Sequence, residues 1–245
     1  MNKIYVVSAV VVVVIVGVIG ATQFTNVQPQ VPSVKPTSKT ANVQFVNHIQ
    51  AGLPEQDVFI EKSSASNQVI RLEGKDASDP SSLSKNVYAT AKATPHDPFK
   101  LGVQPLGPFD KGSALSMTLQ QWLSATGTGT YVVNGDNAEL KLSFQKLVPN
   151  GVYTLWCSRL TFPPNANVVD RPCGAADGSQ NVLKADSNGN AVFNLKIKAL
   201  EASTKETASI LALAYHSDGK TYKDKPGDFG LNSHVQIFFI IPPPE

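Results

Sequence analysis

The chain has no cluster of basic residues. Its 21 Lys and Arg are scattered and the formal net charge is only +2. The phosphate-neutralising patches that nucleic-acid binding needs are missing, which excludes that class of partner. Catalytic signatures are missing as well: there is no G-x-S-x-G elbow, no H-E-x-x-H pair and no phosphate-cradling glycine loop. No serine has neighbours that single it out as a nucleophile. Carboxylate pairs for glycoside hydrolysis need only meet in space, so none can be named from the sequence. Charge is modest, at 16% of residues, and there are only two cysteines.

What is present starts with an uncharged, Val- and Ile-rich run from Ile4 to Ala21, preceded by one cation, Lys3. At about 18 residues it sits between a long signal-peptide core and a helix just able to span a bilayer. Lys3 orients the remainder of the chain outward. Gly20 and Ala21 offer small residues for cleavage, but Ile19 and Val18 do not complete an A-x-A site, so retention as an anchor is the preferred reading of residues 1–21. Secretion after cleavage is the alternative, and no Cys follows that could carry a lipid. Residues 22–40 hold Pro29, Pro32 and Pro36 among Gln, Ser, Thr and Lys, too little apolar content to pack, and read as a flexible linker.

From Ala41 to the end the pattern is β. ANVQFVNHI alternates, and DVFIEK and QVIRLEG are short strand-like runs around the turn SSASN. Residues 76–108 read as an irregular excursion. Residues 113–123 show helical spacing, with Leu115, Leu119, Trp122 and Leu123 on one face and Gly127 as terminator. TYVVNGDNAELKLSF is two alternating runs joined at Asn134-Gly135, a strong hairpin cue. VPNGVYTLWC repeats the theme, as does KADSNGNAVFNLKIKAL, with Val192, Leu195 and Ile197 as its apolar positions. SILALAYHS and HVQIFFIIP are apolar enough for central strands buried on both faces. Turn signals at this spacing with one short helix predict an all-β, antiparallel, immunoglobulin-like sandwich over 41–245, with a sub-boundary near 127 as the alternative.

The stretch TYVVNGDNAELKLSFQKLVPNGVYTLW resembles the chordin-type (CHRD) repeats of exported bacterial and archaeal β-sandwich proteins, in its Gly-Asp hairpin and its L-x-P-x-G-x-Y-T-x-W pattern. The His-rich signature of those domains is absent. The resemblance implies a β-sandwich in an exported protein and no activity.

Cys157 and Cys173 are expected to form a disulfide, the simplest state of a cysteine pair in an exported chain. A copper thiolate site would need His and Met close behind the Cys, and neither cysteine has them. Asp186, Asn188 and Asn190 alternate as in a calcium loop, but Gly189 is fourth rather than sixth and Ile197 stands where Glu is required, so a hairpin turn is expected. His216 closes one apolar strand and His234 opens the next. In a register that opposes them they would converge beside Asp218 and Asp228 as ligands for zinc or copper; the competing expectation is backbone anchoring of the intervening loop. His48 and His96 have no spaced partner.

Three functional classes remain. The leading one is a non-enzymatic, membrane-anchored cell-surface protein with an extracytoplasmic domain, in a structural or binding role toward a surface protein or polymer. The second is an exported metal-binding protein using His216, His234 and Asp218. The third is a hydrolase of envelope polymers, resting on location alone.

Overall fold

Alternation of apolar and polar residues produces thirteen strands in the computed structural model, which describes residues 38–99 and 104–242. The expected N-terminal helix lies outside the described residues. The strands are β1 (Lys39–Gln44), β2 (Phe59–Glu61), β3 (Gln68–Arg71), β4 (Asn86–Thr90), β5 (Phe109–Thr118), β6 (Thr126–Asn134), β7 (Asn137–Gln145), β8 (Val152–Thr161), β9 (Asn167–Val169), β10 (Val182–Lys184), β11 (Ala191–Lys198), β12 (Thr207–His216) and β13 (Ser233–Ile240). Among the described residues, helix is confined to a 3-10 turn at Asp76–Ser78, α1 (Pro80–Leu83) and α2 (Leu119–Leu123). No helix among the described residues is long and apolar enough to cross a membrane.

One sheet runs β1-β6-β7-β11 and the other β10-β8-β12-β13, with β9 on the free side of β8; β2, β3, β5 and β4 close a small barrel. All pairings between these strands are antiparallel. The first sheet turns Leu140, Leu142, Phe144 and Phe193 inward, the second Tyr153, Leu155, Leu211, Leu213 and Ile237, and these merge into one core. Full burial of each such side chain stabilises the fold by about 1.5–3 kcal/mol. The expected all-β sandwich is therefore present.

Several local expectations are corrected. The hairpin turn falls one residue later than Asn134-Gly135, because Asn134 pairs with Asn137 and leaves Gly135-Asp136 as the central pair. Of those two only Gly135 has a positive φ, as a glycine-first turn requires. The helix expected over 113–123 is strand up to Thr118, with Leu115 and Met117 inward at period two. It becomes helix at Leu119, where Thr118 and Gln121 form a capping box. Gly127 ends nothing; it lies within β6, where a Cβ would come within 2.7 Å of the Phe144 ring. Val192 points outward at 68% exposure, and Ala191 and Phe193 fill the core instead. The excursion at 76–108 contains β4, whose Val87 and Ala89 are buried.

The first strand changes sheets. β1 pairs with β6, but just beyond it Val46 exchanges hydrogen bonds with Phe238 of β13, at 2.9 and 2.8 Å. The chain from Val46 onward is thereby laid along the outer edge of β13, and the site is built there.

Candidate functional site

The second sheet has an inner face closed by the core and an outer face that holds a cavity of about 300 Å³. Its floor follows from the sequence of β12. Leu211, Leu213 and Tyr215 point inward, so Ala208, Ile210, Ala212 and Ala214 point outward, and three methyl groups leave a trough. Register aligns Ala212 with Trp156 on one side and Phe238 on the other, so aromatic side chains form the walls. On β13 the ladder skips Gln236 between Ile237 and Val235; this bulge brings Val235 to the outer face.

One wall is a hairpin, in which β9 returns along β8 and puts Val168 and Asp170 on the cavity. Asp170 accepts a hydrogen bond from Ser158 Oγ at 2.6 Å. The expected disulfide is present, Cys157–Cys173 with a Cα separation of 5.0 Å, and it fastens the end of that hairpin to β8.

The opposite wall carries the polar chemistry. Asp57 is fully buried. Its Oδ2 accepts from Val235 N–H at 3.0 Å, and its Oδ1 lies 2.8 Å from Nδ1 of His96. Glu55, equally buried, accepts the backbone N–H groups of Gln56 and Asp57 on Oε1, which stands 3.4 Å from Nδ1 of His48. That last contact is an ion pair whose geometry falls short of a hydrogen bond. Phe229 stacks on the His96 ring at 4.1 Å, and Phe238 lies 5.3 Å from His48. The two imidazoles are 6.4 Å apart and both line the cavity.

Positioning residues surround this group. Arg71, 2% exposed, donates to Pro95 O at 3.0 Å and to Gln104 Oε1, fixing the residue that precedes His96. Phe229 reaches His96 because Thr94 N–H bonds its carbonyl at 2.9 Å while Gly230 passes over Thr94. A Cβ on Gly230 would meet Thr94 Oγ1 at 2.3 Å, and its φ of +77 also suits glycine.

Electrostatics fix the protonation pattern. Burial alone would raise the Asp57 carboxyl; the contact with His96, the nearby His48 and Val235 N–H outweigh it and hold Asp57 below its ordinary range. Asp57 is thus an acceptor, and His96 carries its proton on Nδ1. Burial would lower His48, but Glu55 and Asp57 win and raise it. Arg71 is lowered by burial, against the pull of Asp57 and Glu55.

The two histidines singled out by sequence are not opposed in the ladder. His216 pairs with Ser233 and His234 with Tyr215, one residue away from the register that would oppose them. His216 belongs to the outer face with Ala212 and Ala214, while His234 lies on the inner face against Tyr215 and Trp122. Among the described residues no three His, Cys, Asp or Glu gather closely enough to hold an ion. Asp218 accepts hydrogen bonds from Lys220 N–H and Tyr222 Oη within its own loop, and Asp228 carbonyl caps the turn at 231–233. Asp186 likewise accepts Asn188 and Asn190 N–H, both at 2.8 Å, in a hairpin turn.

Both histidines instead brace the new site. His234 Nδ1 donates to the Asp57 carbonyl at 2.7 Å, and its Nε2 faces Ser217 Oγ at 2.9 Å. Trp156 Nε1 donates to Thr154 Oγ1 at 2.7 Å, leaving the threonine hydroxyl to donate to His216 Nε2 at 2.8 Å. The Trp156 wall is held by that relay. Burial lowers both imidazoles, His216 to about 4.

His48, Glu55, Asp57 and His96 were invisible to motif reasoning, because the two pairs join residues 7 and 39 positions apart through a strand switch. One signal was available: the Leu/Ala alternation of SILALAYH announces a face lined by methyl groups. No protein-family model, curated protein or solved structure matches the chain.

Proposed function

We infer that the folded part of this chain is the binding module of an exported, membrane-anchored protein, an immunoglobulin-like sandwich whose ligand site is the Ala-floored cavity. The supporting observation is the cavity itself. It is concave and mostly apolar, with a few polar groups gathered on one wall, the usual composition of small-ligand sites and a volume at their lower end. Export rests on the run Ile4–Ala21, the Pro-bearing linker and the disulfide. A glycoside hydrolase of the usual kind would need two carboxylates across its substrate. Asp170 is the one carboxylate among the described lining residues, and it is engaged by Ser158.

Two measurements test this reading. An apolar fluorescent probe is expected to bind the purified protein with one-to-one stoichiometry, and Ala212→Phe, which fills the trough, is expected to abolish uptake without changing the far-ultraviolet spectrum. Unchanged uptake by that variant would remove the cavity as the site. After high-salt and carbonate washes the protein is expected to stay with membranes; a soluble form starting at or after Ala21 would replace anchoring by secretion.

A further inference from the structure

The composition of the polar wall says which ligand the cavity takes. His48 and His96 both turn Nδ1 toward a buried carboxylate, and neither Nε2 has a protein partner among the described residues. Gln56 lines the same wall, and its amide oxygen is already taken by Gln104 Nε2 at 2.9 Å, which leaves its N–H groups to the cavity. At His48 the pull of Glu55 and Asp57 outweighs burial and raises the imidazole, which can then present an N–H at Nε2. With the Gln56 amide this puts donors on the wall beside the apolar trough, and His96 adds a second ring edge. Asp170, the one carboxylate among the described lining residues, stands on the opposite wall and is engaged by Ser158.

We propose that the cavity binds a single-chain amphiphile with a carboxylate head, the head against His48, His96 and Gln56 and the tail along Ala212 and Ala214 between Trp156 and Phe238. This deepens the binding reading above and rests on it. At about 30 Å³ per water-sized unit the cavity holds about ten heavy atoms, the size of octanoate. An alkyl cation would find Glu55 and Asp57 behind the rings and Asp170 on the opposite wall already engaged by Ser158. A neutral head would make hydrogen bonds without a charge-assisted contact to the raised His48 imidazole.

Trp156 provides the readout, because it forms a wall of the cavity while Trp122 lies against the inner face. Titrations of the intact protein with octanoate, 1-octanol and octylammonium, followed by tryptophan fluorescence, are expected to rank octanoate at least tenfold above octanol, with no binding of octylammonium. Removing an imidazole outright would strand a buried carboxylate, so the test variants are His48→Asn and His96→Asn. The Asn amide can still donate to the carboxylate but does not reach the Nε2 position. Each is expected to weaken octanoate at least fivefold while leaving octanol within twofold. Equal affinity for octanoate and octanol, unmoved by either variant, would overturn the carboxylate-head assignment and leave the binding module standing. Absence of binding by all three probes, or binding unaltered by Ala212→Phe, would overturn both.

Discussion

The two faces of the β10-β8-β12-β13 sheet use the same strands in opposite ways. Inward, Leu155, Leu211, Leu213 and Ile237 are fully buried against the facing sheet, and the surface is closed. Outward, the alternate positions are Ala208, Ala212 and Ala214, and the cover is irregular chain from 46–57 and 94–98 rather than another sheet. That cover contains the two carboxylates buried among the described residues, Glu55 and Asp57, and is pinned by Arg71. A closed apolar face needs no buried charge, whereas a face meant to meet a polar ligand group must bring its charges inside and pair them. The difference separates a surface closed for stability from the one we propose for recognition.

The largest effect is expected where that charge pairing is broken. Asp57→Ala strands His96 and Val235 N–H together, and the loss in urea unfolding should be about 3–5 kcal/mol. A loss below about 1 kcal/mol would mean that the buried pair carries no structural weight. On the closed face Leu213→Ala should cost about 2–5 kcal/mol through a cavity. It should leave ligand affinity within twofold, which distinguishes the two faces: Asp57→Asn, a milder change, should alter affinity more than Leu213→Ala does.

Acid should act through His216. Its imidazole is neutral in the fold down to about pH 4 but protonates near its ordinary 6.5 when unfolded, so the unfolded chain binds more protons between those values. Stability contributed by this group is complete above pH 6.5 and declines as pH falls toward 4, by up to about 3 kcal/mol. His48, raised in the fold by Glu55, acts in the opposite sense: its contribution is complete below its ordinary value and is lost as pH rises through the raised one. Unfolding midpoints measured from pH 7 to pH 4 should therefore fall, and His216→Asn should flatten the slope. The smallest effect is expected for Ala212→Ser, which keeps the trough and should change stability by less than about 1 kcal/mol.

Much of the fold was legible in the sequence because it is local. The period of two in NAELKLSF and the glycine turn before it specify β7 and its hairpin with little help from the rest of the chain. The helix over 113–123 was misplaced because Leu115, Leu119 and Trp122 fit a helical face while Leu115 and Met117 also fit a strand. Thr118 and Gln121, a capping box at the correct start, were the better evidence. The site was less legible for the opposite reason. His48 and His96 come together only after Val46 has joined β13, and which histidine edge meets which carboxylate depends on that long-range pairing. The disulfide was readable from compartment and count, since only two cysteines were available. The one-residue offset that separates His216 from His234 was not, because register is set by the ladder and its bulge at Gln236.

The most direct test of the account compares the two faces in one experiment. With alanine methyl groups labelled for NMR, octanoate titrated into the intact protein is predicted to shift the Ala212 and Ala214 resonances saturably, while Ala138 and Ala191, buried in the core of the sandwich, stay in place. Shifts spread equally over all four methyls, or confined to Ala138 and Ala191, would contradict the assignment of recognition to the outer face.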